Sequence, residues 1–342
     1  MDFSCPIPVT GTDRVLLAHG SGGRLMHQLL SRTVLPALGG AGLGQTDSAV
    51  LSCGAQRLAF TTDSFVVTPP FFPGGNIGSL AVCGTVNDLA MVGAKPLYLS
   101  LALLLEEGFA IAELEEILAS LRGEADAAGV TIVTGDTKVV ERGKGDGIFI
   151  NTSGIGVIEH TQTLAPASVR AGDAVIVSGD PGRHGIAVLA QRTGLAFETS
   201  IESDVACLHR AVLSLLEAGL ELHCLRDLTR GGLASALVEI ASDAGQGIAL
   251  QETAIPISPP VRAASELLGL DPLQIACEGR FVLFLPTDQA DSALACLRAQ
   301  PHCRDAARIG TVLAAPGVTV ETALGTRRVL DMLSGSQLPR IC

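Results

Sequence analysis

The stretch that decides the fold covers residues 60–96 and reads FTTDSFVVTPPFFPGGNIGSLAVCGTVNDLAMVGAKP. Short β-like runs at 57–62 and 65–68 lead into a predicted helix over 77–92. Gly93 stands where the helix should end, and Pro96 prevents its continuation. Strands followed by a separate helix are typical of an α+β unit, so this stretch predicts a sheet with helices packed on it.

The flanking sequence extends the same mixture. In the first half we predict a helix over 25–38, strands at 49–53, 97–105, 130–134, 137–140 and 148–158, and a helix over 111–128. A second unit begins near Gly172, with strands in GDAVIVSG and at 281–285, 307–313 and 318–322, and helices at 186–193, 205–216 and 233–244. The fold class is therefore α/β (α+β), with two units whose sheets each carry helices on one side.

These elements divide the chain into four parts. Residues 1–45 form an N-terminal extension with a Gly-rich loop and a helix, 46–160 the first domain, and 170–330 the second. Residues 331–342 contain Gly, Ser, Gln and Pro without periodicity, and we expect a flexible tail that carries the final Cys342.

The composition excludes several classes of protein. Apolar residues make up 47% of the 342 residues but aromatic residues only 3%, so the cores must consist of Ala, Val, Leu and Ile. The nine cysteines show no CxxC spacing, which argues against a zinc ribbon or a disulfide framework and favours a reducing compartment. A net charge of −12 disfavours nucleic acid as a partner. No signal peptide or membrane span is predicted, so we expect a cytoplasmic protein.

Four aspartates stand at the ends of apolar runs beside small polar residues: Asp47, Asp63, Asp88 and Asp136. Mg²⁺ prefers carboxylate and carbonyl oxygens together with substrate phosphates. Each aspartate taken alone also fits a turn or cap residue. Four of them in one half of the chain favour a shared metal site.

Glycines precede the first helix in AHGSGGRLMHQLL. Gly20, Gly22 and Gly23 would let the backbone approach a phosphate at a helix N-terminus, although a plain flexible loop explains them equally well. Lys138 in GDTK is one of three lysines and is either a phosphate contact, a proton donor or an exposed strand charge.

The second half adds RDLTRGGL, in which Asp227 and Arg230 precede a helix. Arg230 suits bidentate phosphate binding and Asp227 suits metal binding, while an ordinary capped helix is the alternative. Glu278 in ACEGR is either a desolvated general base or a partner of Arg280. His19 is a candidate contact in its Gly-rich loop, and His184 is better explained as structural.

Taken together, these motifs resemble a known family. AHGSGGR, the 60–96 stretch, IVTGDTKVV, HCLRDLTRGGLA, LGLDPLQIACEG and the final PRIC resemble the HypE hydrogenase maturation factors from about Val15 to Cys342. The aspartate and glycine segments are shared with the wider superfamily of aminoimidazole ribonucleotide synthetases, thiamine-monophosphate kinases and selenophosphate synthetases. The terminal PRIC is particular to HypE.

The resemblance implies two PurM-like domains, the first forming a homodimer through its sheet, with ATP and Mg²⁺ as cofactors. It also implies an ATP-dependent dehydration: the terminal thiol receives a carbamoyl group from the carbamoyltransferase HypF, and the S-carboxamide becomes a thiocyanate. The cyanide then passes to iron on the HypC–HypD complex during assembly of the [NiFe]-hydrogenase centre.

The same resemblance implies roles for individual residues. Cys342 carries the reacting group. Dehydration also removes two protons from the amide nitrogen and so needs a base; our hypothesis for it is Glu278, with Lys138 and His19 behind it. The implied metal ligands are Asp47, Asp63, Asp88, Asp136 and Asp227. The implied nucleotide contacts are these five aspartates together with Gly22, Gly23, Asn87, Gly135, Thr137 and Arg230.

Two alternatives stay open from the residues. One is another ATP-dependent enzyme of the superfamily, a small-molecule kinase or a selenophosphate synthetase, although the latter would need a reactive Cys or selenocysteine near a Lys where this chain has HGSGGR. The other is a non-catalytic thiol carrier that presents Cys342 to partners.

Overall fold

The computed structural model describes residues 14–38, 46–195 and 200–333, so Cys342 and the rest of the PRIC motif lie outside the described residues. The first half contains α1 (Arg24–Leu29), α2 (Leu35–Ala37), β1 (Ala49–Cys53), β2 (Gln56–Phe65), β3 (Phe71–Phe72), β4 (Gly75–Asn76), α3 (Ile77–Met91), β5 (Lys95–Glu106), α4 (Ile111–Ala128), β6 (Thr131–Val140) and β7 (Ile148–Ile158). A π-helical segment, Leu30–Val34, joins α1 to α2.

The second half follows in chain order. It contains β8 (Ala174–Val177), α5 (Arg183–Thr193), α6 (His209–Glu217), β9 (Cys224–Asp227), α7 (Gly232–Ala244), β10 (Gly247–Gln251), α8 (Pro259–Leu268), β11 (Phe281–Leu285), α9 (Ala290–Arg298), β12 (Ala307–Leu313), β13 (Gly317–Glu321) and β14 (Arg327–Val329).

Helix α3 is buried on almost every side. Asp88 is the one residue of the helix that is not buried. A helix that is apolar all round belongs in a protein interior. It packs against β2, β7 and α4 of its own half and against α6 and β9 of the other half. Helix α3 therefore joins the two halves of the molecule.

The first sheet has the strand order β1-β2-β7-β5-β6. All neighbours are antiparallel except β5 and β6, which are parallel because α4 forms the crossover between them. Helices α3 and α4 pack on one face of this sheet through side chains such as Leu80, Ile117 and Leu121. That arrangement agrees with the expected sheet covered on one side.

The opposite face of the first sheet carries an unusual number of exposed apolar side chains. Each of the following is at least 40% exposed: Leu51, Phe60, Tyr98, Leu104, Val133 and Ile155. We call these residues the apolar sheet face. Contiguous apolar surface of this kind marks an interaction site in a soluble protein.

The second sheet has the order β14-β13-β10-β12-β8-β11-β9 and is buried on both faces. Val175 and Val177 of β8 pack with α7, whereas Ala174 and Ile176 pack with α6 and α9. The prediction of helices on only one side is therefore wrong for this sheet. The apolar runs AVIV and FVLFL contain no polar alternation, and such runs are typical of strands covered on both faces.

Most predicted elements are present, with shifted ends. The helix at 111–128 and the strands at 148–158, 281–285 and 307–313 have the predicted bounds, while the runs at 130–134 and 137–140 form the single strand β6. The helix predicted at 205–216 starts at His209, because the residues before it hold the two halves together. In this segment Ala206 O accepts a hydrogen bond from Asn87 of α3, and Leu208 N donates one to the same side chain.

No helix in the described ranges combines the length and the apolar character needed to cross a bilayer.

The Asn76 side chain caps α3, accepting hydrogen bonds from Gly78 N at 2.8 Å and Ser79 N at 3.2 Å. We predict that Asn76→Ala lowers the free energy of unfolding by about 2 kcal/mol, because the cap is buried and both donors lose their acceptor. Asn76→Asp keeps the acceptor and should lose less. Urea unfolding followed by circular dichroism measures both variants, and an equal loss in the two would contradict the capping role.

Candidate active site

A cavity of about 290 Å³ opens between the two halves. Residues of α1 and the loop before it line one wall, the ends of β2 and α3 a second, and the segment from β9 into α7 a third. Its lining is Gly22, Gly23, Met26, His27, Leu30, Asp47, Thr61, Thr62, Asp63, Gly84, Asp88, Arg226, Asp227, Thr229, Arg230, Gly232, Ala236, Glu239 and Asp243. We call this space the acidic cavity.

Four of the predicted aspartates meet in the acidic cavity. Burial raises the pKa of Asp88 well above its usual range, and the charges of Asp227, Asp47 and Asp63 raise it further. Burial, followed by the charge of Asp47, does the same to the pKa of Asp227. Neighbouring carboxylates therefore raise both pKa values, as expected when like charges share a desolvated site.

Asp47 forms an ion pair with Arg226. Its Oδ1 lies 2.9 Å from Arg226 Nε, and the arginine also contacts Glu239 at 2.9 Å. Burial nevertheless raises the pKa of Asp47 to about 6, outweighing Arg226. Asp47 Oδ2 is buried without a hydrogen-bond partner. A buried, unpartnered carboxylate oxygen among other carboxylates fits a hard divalent cation.

Asp63 and Asp88 also make hydrogen bonds within the protein. Asp63 accepts from Ser64 N at 2.7 Å, the local turn contact considered as the alternative. Thr61 Oγ1 donates to Asp88 Oδ2 at 2.7 Å. Burial raises the pKa of Asp63, while the charge of Arg230 lowers it. Both carboxylates therefore accept a hydrogen bond from the protein and also line the acidic cavity.

The glycines before α1 allow a close approach of two backbones. Gly22 has φ +75°, and a Cβ there would lie 2.6 Å from the carbonyl oxygen of Arg230. Only glycine accepts both constraints. Gly22 and Gly23 thus bring the N-terminal segment against Arg230 at the cavity wall. Gly20 and His19 do not line the cavity, and His19 Nδ1 instead accepts from Leu16 N at 2.9 Å.

Glu278 lies close to the acidic cavity but does not line it. It is only 3% exposed, and its Oε1 has no hydrogen-bond partner. Burial raises its pKa well above the usual range, and Asp227 and Asp63 add to this. The alternative pairing with Arg280 is wrong, because that guanidinium contacts Asp180 at 2.7 Å.

Asn87 holds the two halves together. Its Nδ2 donates to Ala206 O at 3.0 Å and Glu278 O at 3.3 Å, and its Oδ1 accepts from Leu208 N at 2.7 Å. It is buried and does not line the acidic cavity. The side chain predicted as a nucleotide contact thus fixes the backbone of Glu278.

The GDTK motif lies elsewhere in the single chain. Gly135, Asp136, Thr137 and Lys138 are exposed on β6, the edge strand of the first sheet. Lys138 Nζ contacts Asp136 at 2.9 Å, and the hydrogen bond from this lysine lowers the pKa of the carboxyl. One chain therefore does not bring Asp136 to the other four aspartates.

Several cavity residues are absent from the predicted set. Arg226, Glu239 and His27 line the cavity. Arg226 precedes Asp227 in a quoted motif and could have been found there, whereas Glu239 and His27 sit on helices without a local signal. His184 is structural as expected: it is fully buried, its Nδ1 lies 2.8 Å from Ser203 Oγ, and its ring meets Phe72 edge-on.

Comparisons with known proteins agree with this geometry. Residues 45–158 match the family model of the AIR synthase related protein N-terminal domain, and residues 170–323 match its C-terminal domain. The carbamoyl dehydratase HypE of Rhodobacter capsulatus is 51% identical over 96% of this chain and 98% of its own length.

Solved structures lead to the same family. A HypE–HypF complex contains a chain of 43% identity with a TM-score of 0.86, covering 89% of this chain and 99% of that one. A hydrogenase maturation protein HypE in complex with ATP is 48% identical with a TM-score of 0.82, covering 96% and 100%. These likenesses set aside the kinase, the selenophosphate synthetase and the carrier without catalytic activity. The chain belongs to the HypE family of carbamoyl dehydratases.

Proposed function

We propose that this chain uses ATP to dehydrate an S-carboxamide on Cys342 to a thiocyanate, which supplies cyanide for the iron of a [NiFe]-hydrogenase. The observation that carries the proposal is the gathering of four carboxylates, with Arg226 and Arg230, in one cavity between the two halves. The HypE relative solved with ATP supports the nucleotide.

Magnesium fits the acidic cavity because its carboxylates supply oxygen ligands and one of these oxygens, Asp47 Oδ2, has no partner among the residues that the structure describes. Asp47, Asp63, Asp88 and Asp227 would hold it. When bound, Mg²⁺ neutralises charge on the phosphates during phosphoryl transfer. Arg230 lies where a guanidinium can contact the same phosphates.

The reaction follows from the poor leaving ability of an amide oxygen. Transfer of the γ-phosphoryl group from ATP to the carboxamide oxygen gives an O-phosphorylated imidate and ADP, with loss of one proton from nitrogen. Breaking the C–O bond then releases phosphate, and loss of the second nitrogen proton leaves the C≡N group on sulfur. The net change is removal of one water and cleavage of ATP to ADP and phosphate.

Glu278 is the base that we propose for these protons. Its buried, unpartnered Oε1 and raised pKa give it a high proton affinity without leaving it blocked by a cation. Asn87 positions it through its backbone carbonyl. Lys138 and His19 remain candidates of lower rank, since Lys138 pairs with Asp136 and His19 bonds Leu16, whereas Glu278 is buried close enough to Asp227 and Asp63 for their charges to raise its pKa.

We also propose that two chains dimerise through the apolar sheet face. Burying that face removes exposed apolar side chains from water. In the dimer the GDTK motif of one chain would reach the nucleotide of its partner. Gly135, Asp136, Thr137 and Lys138 would then act across the interface.

The partners follow from the chemistry. A carbamoyltransferase must load the terminal thiol, and a relative was solved as a HypE–HypF complex, so HypF is the proposed donor. The proposed acceptor of cyanide is iron on a HypC–HypD complex. All seven cysteines in the described ranges are unpaired, in keeping with a cytoplasmic protein.

Replacing Glu278 with Gln tests the proposed base. Carbamoylation of Cys342 should persist, while the rate of thiocyanate formation falls on the order of 100-fold or more, because the proton acceptor is gone. Intact-mass analysis after addition of carbamoyl donor and Mg-ATP measures gain of the carbamoyl group and later loss of one water. The control Glu266→Gln changes an exposed carboxylate of α8 and should leave the rate unchanged. A normal rate in Glu278→Gln removes this residue from the role.

Asp88→Asn tests the carboxylate group with two readouts of opposite sign. The nucleotide-free protein should become more stable to heat, because burial and neighbouring carboxylates raise the pKa of Asp88 and so penalise its charge. Affinity for Mg-ATP should fall on the order of 100-fold. Calorimetry measures both changes, with the exposed Asp126→Asn on α4 as control. Lower stability together with unchanged affinity contradicts the proposed site.

Tyr98→Glu tests the dimer. Tyr98 is 47% exposed on the apolar sheet face, so a charge there should convert dimer to monomer and lower ATP turnover through loss of the partner's GDTK motif. Analytical ultracentrifugation measures the mass. Leu324→Glu, on a residue 91% exposed in the second half, is the matched control and should stay dimeric. A wild-type chain that is monomeric at micromolar concentration contradicts the proposal.

A further inference from the structure

Three side chains of metal-binding type meet at the junction between the two halves, away from the acidic cavity. They are Cys83 on α3, Glu124 on α4 and Cys207 in the segment before α6. The ligand atoms all lie within 4.8 Å of one another. Cys83 is buried, and the other two are partly buried. We call them the thiol cluster.

The distances within the thiol cluster suit one tetrahedral ion. The Cys207 thiol donates to Cys83 Sγ at 3.3 Å, and the Cys83 thiol donates to Glu124 Oε2 at 3.7 Å. Zinc bonds to sulfur at about 2.3 Å and to carboxylate oxygen at about 2.1 Å, so tetrahedral geometry separates two sulfurs by about 3.8 Å and sulfur from oxygen by about 3.6 Å. Small side-chain shifts would let the three hydrogen-bonded groups coordinate one ion.

A cavity beside the cluster offers the fourth position. It has a volume of about 280 Å³ and is lined by Glu124 and Cys207 together with His209 and His302. His209 is only 6% exposed, and its Nδ1 is buried without a hydrogen-bond partner. A buried nitrogen without a partner among the described residues, in a cavity that Cys207 and Glu124 also line, is an independent indication of a ligand.

We propose that Cys83, Cys207 and Glu124 bind one Zn²⁺ ion, with a water molecule or an imidazole of the adjacent cavity as the fourth ligand. Both thiols lose their protons on binding, so two thiolates and one carboxylate surround the divalent charge. Thiolate ligands select zinc over Mg²⁺, which separates this site from the acidic cavity.

The position of the ion gives it a structural role. Cys83 lies one helical turn before Asn87 on α3, and Asn87 bonds the backbone of Ala206 and Leu208 on either side of Cys207. Zinc would therefore bind the same two segments that Asn87 connects. It would fix α3, and with it Asp88, against the second half of the molecule.

The same two thiols could instead form a disulfide, but the observations favour the metal. Disulfide formation needs the sulfurs to approach from 3.3 Å to about 2.0 Å and needs an oxidant to accept two electrons. It also leaves the contact with Glu124 and the unpartnered His209 nitrogen without a function.

Cobalt titration of the metal-free full-length chain tests the proposal, in a Cys342→Ala background that removes the terminal thiol. One equivalent of Co²⁺ should give tetrahedral d–d bands and a thiolate-to-cobalt charge-transfer band. Zn²⁺ should displace it, whereas excess Mg²⁺ should not. Cys83→Ser and Cys207→Ser should each weaken the charge-transfer band and reduce zinc affinity on the order of 100-fold.

Two further variants complete the test. Glu124→Gln should keep the charge-transfer band with weaker binding, and Cys53→Ser, an exposed thiol elsewhere, should bind as the wild type does. If a Ser variant folds poorly, the wild-type melting temperature decides: it should rise with Zn²⁺. No binding at micromolar zinc, or an equal loss in Cys53→Ser, overturns the proposal. A reducible loss of two hydrogens at this pair, seen by mass spectrometry, identifies a disulfide and also overturns it.

Discussion

The structure depends on holding like charges together in a space with little water. Asp47, Asp63, Asp88 and Asp227 come from four separate segments, and each makes ionisation of the others less favourable. No local sequence preference would gather them. The two sheets and the helix between them must supply the free energy that opposes this repulsion, and the proposed Mg²⁺ would offset it on binding.

Helix α3 holds Asp88 among the other carboxylates. Its apolar surface packs against both halves, so the helix cannot rotate to move Asp88 out of the cavity. Asn87, which precedes Asp88, donates hydrogen bonds from its side-chain amide to the backbone carbonyls of Ala206 and Glu278 in the second half. These bonds fix the backbone of Glu278. One helical turn thus supplies a carboxylate to the wall of the acidic cavity and hydrogen bonds to the neighbouring half. A change in domain packing would reach both carboxylates through this turn.

The sequence predicts the two-sheet architecture and most helices because apolar periodicity and glycine or proline boundaries are local signals. Four of the five aspartates do meet, as the turn positions indicate, and Asp136 does not because it lies on the far edge strand of its own chain. Glu239 and His27 could not be predicted, since their place depends on how α7 and α1 pack. The thiol cluster has no sequence signature either: Cys83, Glu124 and Cys207 come together only through tertiary packing.

The contact between α1 and Leu333 places the start of the segment that carries Cys342 near the acidic cavity. Arg24 N donates to Leu333 O at 3.1 Å, and the Arg24 side chain pairs with Asp331, next to the glycines that line the acidic cavity. The nine residues that follow Leu333 span at most about 30 Å when extended. In the proposed function, residues 334–342 would tether the substrate on Cys342 near the acidic cavity. Its effective concentration there would be near millimolar. Within the proposed dimer, turnover would then be first-order, because the tether delivers the substrate to the site.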